Sequence, residues 1–344
     1  MHAALGIAAR AARPMTAALR AESLNRASSF GRLARSLDQL EFIVHLVPLP
    51  ALTDNYIWLI HDDEGMAIVI DPGEAEVVEE ALAARKLQLR GILLTHHHPD
   101  HTGGVAALRL QHDVPVYAPV DERIPEATRR VGDRDRFALE SPSIEFSVLA
   151  VPGHTLSHVA YFGNGWLFCG DTLFSLGCGR LFEGTPAQMV RSLDQFVALP
   201  PATLVCGGHE YTQANGRFAI TVDPDNAELA SRLREVAALR AQGEPTLPVP
   251  LATELATNPF LRVDSEAAMA WCKQHGTARD QRTSPVRRSC VGLLADAVDD
   301  PRGMRRHTAV ANPARHDDAH AGFQFRPCAT SGDHSARGQP RHWR

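Results

Sequence analysis

Thr95-His96-His97-His98-Pro99-Asp100-His101-Thr102-Gly103-Gly104 packs four imidazoles and one carboxylate into the six residues from His96 to His101. The run follows the apolar segment Gly91-Ile92-Leu93-Leu94, which reads as a strand. Neutral imidazole and carboxylate are the usual protein ligands for zinc and similar borderline cations. In an extended segment side chains alternate, so His96 and His98 project to one side and His97 to the other. Asp100 and His101 come next, and Gly103-Gly104 lets the backbone turn sharply into the following element. The cluster offers enough ligands for two cations rather than one. A terminal tag, the other common source of a histidine run, lacks the interleaved Pro-Asp and does not sit mid-chain.

Three later positions repeat one design, a short apolar strand ending in a ligand-type residue. His154 lies in Val151-Pro152-Gly153-His154-Thr155, after the apolar run Ile144 to Val151. Asp171 ends Trp166-Leu167-Phe168-Cys169-Gly170-Asp171, and His209 ends Leu204-Val205-Cys206-Gly207-Gly208-His209. Taken singly, Gly-Asp and Gly-His are ordinary turn sequences. Three of them beside the histidine cluster point instead to loops gathered at one sheet edge, where binding residues concentrate.

The order His-x-His-x-Asp-His, then His, Asp and His resembles the metallo-β-lactamase superfamily of binuclear metallohydrolases. Its surroundings resemble the hydroxyacylglutathione hydrolases, or glyoxalase II enzymes. The resembling segments are Thr53-Asp54-Asn55-Tyr56-Ile57-Trp58-Leu59-Ile60, Pro152 to Thr155, Gly170-Asp171-Thr172-Leu173-Phe174 and Gly177-Cys178-Gly179-Arg180-Leu181-Phe182-Glu183-Gly184-Thr185. Gly208-His209-Glu210-Tyr211-Thr212 and Asn258-Pro259-Phe260-Leu261-Arg262 complete the set. The resemblance runs from about Val44 to about Gly276. It implies an α/β fold, an αββα sandwich, with a small C-terminal helical domain. It assigns His96, His98 and His154 to a first metal, Asp100, His101 and His209 to a second, and Asp171 to the bridge between them. The implied cofactors are two divalent cations, zinc expected and iron or manganese the alternatives, because the same ligands suit all three.

Asp100 and Asp171 are the expected catalytic residues, with hydroxide shared by the metals as the nucleophile on a thioester carbonyl. The implied substrate is S-D-lactoylglutathione, hydrolysed to D-lactate and glutathione. Arg180 matches a cationic family position that binds a glutathione carboxylate, Tyr211 a tyrosine that contacts the peptide, and Phe182 a position where other members carry Tyr. His97 and His158 are left outside the metal set, His158 as a structural hydrogen-bonding residue. The alternatives are another enzyme of the same fold, such as a persulfide dioxygenase, or an inactive metal-binding homologue.

Hydrophobic residues make up 44% of the 344, enough for a substantial core. The net charge of −5 and the lack of a basic stripe argue against nucleic acid. No run of 18 uninterrupted apolar residues exists, so a membrane span is not expected. The six cysteines show no paired spacing and are expected to be free thiols in a reducing, cytoplasmic setting. A monomer is expected.

Periodicity gives strands near Phe42–Val47, Tyr56–His61, Met66–Asp71, Gly91–Thr95, Ile144–Val151, Val159–Phe162, Trp166–Cys169 and Leu204–Gly207. Helices are predicted at Glu74–Ala84, Gly104–Gln111, Pro186–Leu199, Asp225–Gln242 and near Ser265–His275. The Asp225–Gln242 helix is expected to turn Leu229, Leu233, Val236, Ala237 and Leu239 inward. Four segments follow: an extension over 1–43, a catalytic domain over 44–212, an incomplete helical substrate domain over 213–280 and a divergent tail over 281–344. The extension holds six arginines against one acid up to residue 37. It is read as disordered, with an organellar transit peptide as the alternative. The tail, also expected to be disordered, lacks the Arg-x-x-Lys pair with which the family helps hold glutathione. Weak glutathione affinity follows.

Overall fold

Tyr56-Ile57-Trp58-Leu59-Ile60 is apolar at every position because its strand is covered on both faces. Tyr56, Trp58 and Ile60 point into one core, and Ile57 and Leu59 into another. The computed structural model describes residues 43–275. Residues 1–42 and 276–344, which hold nearly all of the expected extension and all of the expected tail, lie outside the described residues.

A first six-stranded sheet runs in the order β1 (Val44–Ala51), β2 (Asn55–Asp62), β3 (Met66–Ile70), β4 (Gln88–Leu93), β5 (Val116–Pro119) and β6 (Arg129–Val131). Its first three strands are antiparallel neighbours, and β3 to β6 are parallel. A second six-stranded sheet has the order β14 (Val249–Pro250), β13 (Leu204–Gly207), β10 (Trp166–Gly170), β9 (Val159–Gly163), β8 (Ser143–Ala150) and β7 (Arg136–Glu140). A small hairpin joins β11 (Leu173–Phe174) to β12 (Gly177–Cys178).

The two sheets pack face to face. Trp58, Ile68 and Leu93 of the first share a core with Phe146, Tyr161 and Phe168 of the second. The outer face of the first sheet is covered by α1 (Ala75–Arg85) and α3 (Val105–Gln111), through Val78, Leu82, Val105 and Leu108. Between these helices lies the single turn α2 (Pro99–Thr102). Met189, Leu193 and Phe196 of α4 (Pro186–Val197) join the core from the second sheet's side. Helix, sheet, sheet and helix are therefore stacked in an αββα sandwich. Burying a side chain such as Ile57 or Leu59 contributes roughly 1.5–3 kcal/mol. Helix α4 starts as its sequence dictates: Thr185 and Gln188 form a reciprocal capping box, and Pro186 follows the cap.

Several elements escape the sequence reading. β5 is bounded by Pro115 and Pro119, which argue against a strand, β6 has three residues, and β7 alternates exposed and half-buried residues. Helix α5 (Thr212–Val222) contains Asn215, Gly216 and β-branched residues, all weak helix formers. Packing overrides that propensity. A side chain at position 216 would come within 2.3 Å of Leu233, so glycine is what lets α6 (Ala227–Ala241) approach closely. On α6, Leu229 and Val236 are buried and Leu233 partly so, but Ala237 is exposed and Arg232 is buried instead. Arg232 reaches the Thr246 carbonyl at 2.8 Å and Glu235 at 2.9 Å, which makes its burial tolerable.

Helix α7 (Leu251–Thr257), where the periodicity predicts no element, is followed by α8 (Glu266–His275). Glu254 of α7 is fully buried. It accepts from the Ser175 hydroxyl (2.6 Å), the Leu176 amide (2.8 Å) and Asn258 Nδ2 (2.9 Å). Burial pushes its carboxyl above the usual range. Cys169, Cys178 and Cys206 are buried free thiols, as expected. Cys272 is not, because it is disulfide-bonded. The expectation rested on spacing, and spacing does not limit bridges between distant positions. Among the described residues no helix is long and apolar enough to cross a membrane.

Candidate metal centre

Strands β3, β4, β8, β10 and β13 each deliver a polar residue just past their last residue on one edge of the sandwich. β4 leads to His96 and His98, and then to Asp100 and His101 on α2. His154 lies four residues past β8, Asp171 directly follows β10, and His209 comes two after β13. The four imidazoles other than His98, and Asp171, are buried.

Two groups form. In the first, His98 Nδ1 lies 3.1 Å from His96 Nε2 and 3.0 Å from His154 Nε2, and His154 Nε2 lies 3.3 Å from Asp171 Oδ2. In the second, Asp100 Oδ2 lies 3.4 Å from both His101 Nε2 and His209 Nε2. Asp171 Oδ1 lies 3.4 Å from His101 Nε2 and 3.3 Å from His209 Nε2. The two oxygens of Asp171 thus face different histidine sets. Donors placed about 2.0–2.1 Å from a tetrahedral zinc lie about 3.3 Å apart, which is the spacing seen here. His101 Nε2 and Asp171 Oδ1 are buried without a hydrogen-bond partner, an arrangement that costs free energy unless a cation engages them. At Gly208 a Cβ would come within 2.6 Å of Asp171 Oδ1, so only glycine leaves this cradle open. The residues fit a binuclear metal site.

The protonation states suit it. Burial lowers His96, His98 and His154 below the ordinary imidazole range, so all three are held neutral, the ligating form. For His101 and His209 burial is outweighed by Asp171 and the other carboxylates, and both are raised. Burial would likewise raise Asp100 and Asp171, but the facing histidines hold both well below the usual carboxylate range.

Three residues that sequence reasoning gave no role support the ligands from behind. Asp71 accepts from the Thr95 amide and hydroxyl, both at 2.7 Å, and from His101 Nδ1 at 3.1 Å. Asp54 Oδ1 lies 2.9 Å from His209 Nδ1, and Asn55 Nδ2 donates to Asp100 Oδ2 at 3.0 Å. Such partners set which ring nitrogen carries the proton and leave the other free to ligate. Asp71 carried the strand-then-Asp signal that located Asp171; the pattern was simply not extended to it. His158 is buried, stacks on His96 at 4.6 Å and accepts the Asp171 amide at 3.2 Å, the structural role expected of it. His97 turns away from the metal groups, with Nδ1 3.6 Å from Asp121 and Nε2 3.8 Å from Glu183.

Arg180 and Phe182 lie on the loop between β12 and α4, both exposed, with the guanidinium 5.9 Å from the Phe182 ring centroid. The Phe182 ring lies 5.2 Å from His154 and 5.6 Å from His98. Tyr211 stacks on His209 at 4.7 Å, and burial pushes its hydroxyl up to about 12. All three therefore sit beside the metal groups.

Residues 52–209 match the model of the metallo-beta-lactamase superfamily, and residues 210–288 match that of the hydroxyacylglutathione hydrolase C-terminus. The chain is 52% identical over 236 residues to a hydroxyacylglutathione hydrolase of Xanthomonas campestris pv. campestris, covering 68% of this chain and 91% of that protein. The chain belongs to the hydroxyacylglutathione hydrolase family. A second member, from Methylobacillus flagellatus, is 52% identical over 232 residues, 67% of this chain and 92% of its own length. Among solved structures, the BLEG-1 B3 metallo-beta-lactamase superposes with a TM-score of 0.49 at 24% identity, over 64% of this chain and 99% of that one. The C-terminal family match reaches residue 288, eight residues beyond the expected end of the helical segment at 280.

Proposed function

We propose that the chain hydrolyses S-D-lactoylglutathione to D-lactate and glutathione, with two zinc ions as resident cofactors. The observation that carries the reading is Asp171, whose two oxygens face two separate histidine sets at 3.3–3.4 Å. His96, His98 and His154 would hold one cation, Asp100, His101 and His209 the other, and Asp171 both. When bound, such a pair supplies Lewis acidity toward a carbonyl oxygen and a water acidic enough to act as nucleophile near neutrality.

The chain's own residues do the rest. Asp171 and Asp100 bring anionic charge to a buried site and fix the separation of its two halves. Neutral His96, His98 and His154 keep lone pairs available without adding positive charge. Asp71 and Asp54 hold the His101 and His209 rings with Nδ1 as donor, so that Nε2 faces the site. Arg180, exposed at the mouth, provides a cation for a carboxylate of the glutathione moiety. Phe182 and Tyr211 provide flat apolar surface on either side of the metal groups. The leaving group is a thiolate, whose conjugate acid has a pKa of about 8.5. It departs without needing a proton, so the site requires no positioned acid.

The test is a thioesterase assay with metal analysis on the same sample. Hydrolysis of lactoylglutathione, two zinc ions per chain and loss of activity on chelation are expected. Turnover of glutathione persulfide in place of the thioester, or a single iron per chain, would overturn the reading.

A further inference from the structure

The strongest polar cluster outside the metal groups lies at the rim of the site. Asp121 and Arg123 follow β5. Arg123 meets Asp121 as a fork, Nε to Oδ1 and Nη2 to Oδ2, both at 2.8 Å. The same guanidinium reaches Glu183, Nη1 to Oε1 at 2.5 Å. Asp121 also accepts the Ser157 hydroxyl at 2.5 Å, and Glu183 accepts the Leu156 amide at 2.8 Å. Isolated surface ion pairs contribute little, but a bidentate pair within a network is the exception. Asp121 is 5% exposed and Glu183 24%, although Arg123 itself is half-exposed.

The network ties together three loops. The segments around His154 and Phe182 already run side by side: the Phe182 and Glu183 amides donate to the His154 carbonyl (3.2 and 3.3 Å), and Gly184 donates to Gly153 (3.0 Å). His154 Nδ1 in turn lies 2.9 Å from the Arg180 carbonyl. The Ser157 hydroxyl ties the His154 segment to Asp121, and Arg123 adds the tie for the Phe182 segment by bonding Glu183 to the loop after β5. The His97 ring, between Asp121 and Glu183, backs the network onto the His96–His98 run.

We propose that Arg123, through Asp121 and Glu183, is a positioning residue for substrate binding that fixes the Arg180–Gly184 loop and so places Arg180 and Phe182 at the mouth of the site. The proposal rests on the reading that Arg180 and Phe182 touch the glutathione moiety. Arg123 contacts no metal ligand and no reacting atom. Its loss weakens binding of the ground state more than it slows the chemistry.

Steady-state kinetics of full-length variants test this. Arg123→Ala and Arg123→Lys should each raise KM for lactoylglutathione by about threefold to tenfold, with kcat changed by less than about twofold. Lysine keeps the charge but cannot form the fork. A wild-type KM in Arg123→Lys would show that bulk charge, not fixed geometry, is what counts, and would overturn the proposal. Arg180→Ala/Phe182→Ala should itself raise KM, and adding Arg123→Ala to it should have no further effect, since no side chain is left to place. The same fold-rise in that background would overturn the positioning role while leaving the substrate contact intact. An unchanged KM in Arg180→Ala/Phe182→Ala alone would instead refute the substrate contact, and the proposal with it.

Discussion

Asp71→Asn is a near-isosteric change whose consequence follows from hydrogen-bond direction. Asp71 is 4% exposed and takes three donors: the Thr95 amide, the Thr95 hydroxyl and His101 Nδ1. Its φ of 53° is left-handed, a region asparagine enters as readily as aspartate, so the backbone is not strained. The Thr95 amide can only donate, which fixes the new side chain with Oδ1 toward it. The Nδ2 group then points at the Thr95 hydroxyl and at His101 Nδ1. The hydroxyl can rotate to accept. The imidazole can accept only by moving its proton to Nε2, the nitrogen that faces Asp100 and Asp171 at 3.4 Å. A protonated Nε2 has no lone pair for a cation. Loss of such an orienting partner costs about tenfold to a hundredfold in metal affinity, or about 1.4–2.7 kcal/mol. The fold itself should lose only about 1 kcal/mol, one hydrogen bond's worth. Chelator competition that resolves the two stepwise dissociation constants measures the effect, and nitrogen NMR of His101 reads the tautomer. One constant should weaken by that factor and the other much less. Two constants within about twofold of the parent's, with His101 still protonated on Nδ1, would refute the reasoning.

Asp171→Ala removes the carboxylate that faces both histidine sets; metal content should fall below two per chain and thioester hydrolysis should be abolished, as elemental analysis and assay would record. His154→Ala should weaken one cation and His209→Ala the other, whereas His97→Ala should retain both, because its ring faces Asp121 and Glu183 instead; metal loss in His97→Ala as severe as in the ligand variants would contradict the geometry. His101 and His209 are raised in the metal-free chain, so cations must displace their protons. Apparent metal affinity should therefore rise with pH across the neutral range, and calorimetry in buffers of different ionisation enthalpy should detect proton release; pH-independent uptake would count against it. The resemblance implies weak glutathione affinity for want of an Arg-x-x-Lys pair, so KM for lactoylglutathione should be about tenfold or more above that of a family member that carries the pair, with kcat comparable.

The sequence by itself made the candidate metal site legible. The candidate ligands are marked by their local context: the histidine run that begins shortly after Leu94, and the Gly-His and Gly-Asp turns that follow three apolar strands. Side-chain alternation was enough to set His97 apart from His96 and His98. The strands buried on both faces were equally legible, since an unbroken apolar run such as Tyr56 to Ile60 has few other uses. Tertiary structure decided what the supporting residues do, even for Asp71, whose strand-then-Asp context is visible in the sequence. Asp54, Asn55 and Asp71 lie 30 or more residues from the ligands they orient, and no spacing rule links hydrogen-bond partners across strands. Helix α5 forms against its own propensities because Gly216 lets α6 pack on it, a gain visible only once both helices are in place. Glu254 and Arg232, polar residues that hydropathy assigns to the surface, are buried because each finds its partners elsewhere in the chain. The Asp121–Arg123–Glu183 network is of the same kind. Its members are ordinary surface charges in the sequence, and only the meeting of three loops makes them one structure.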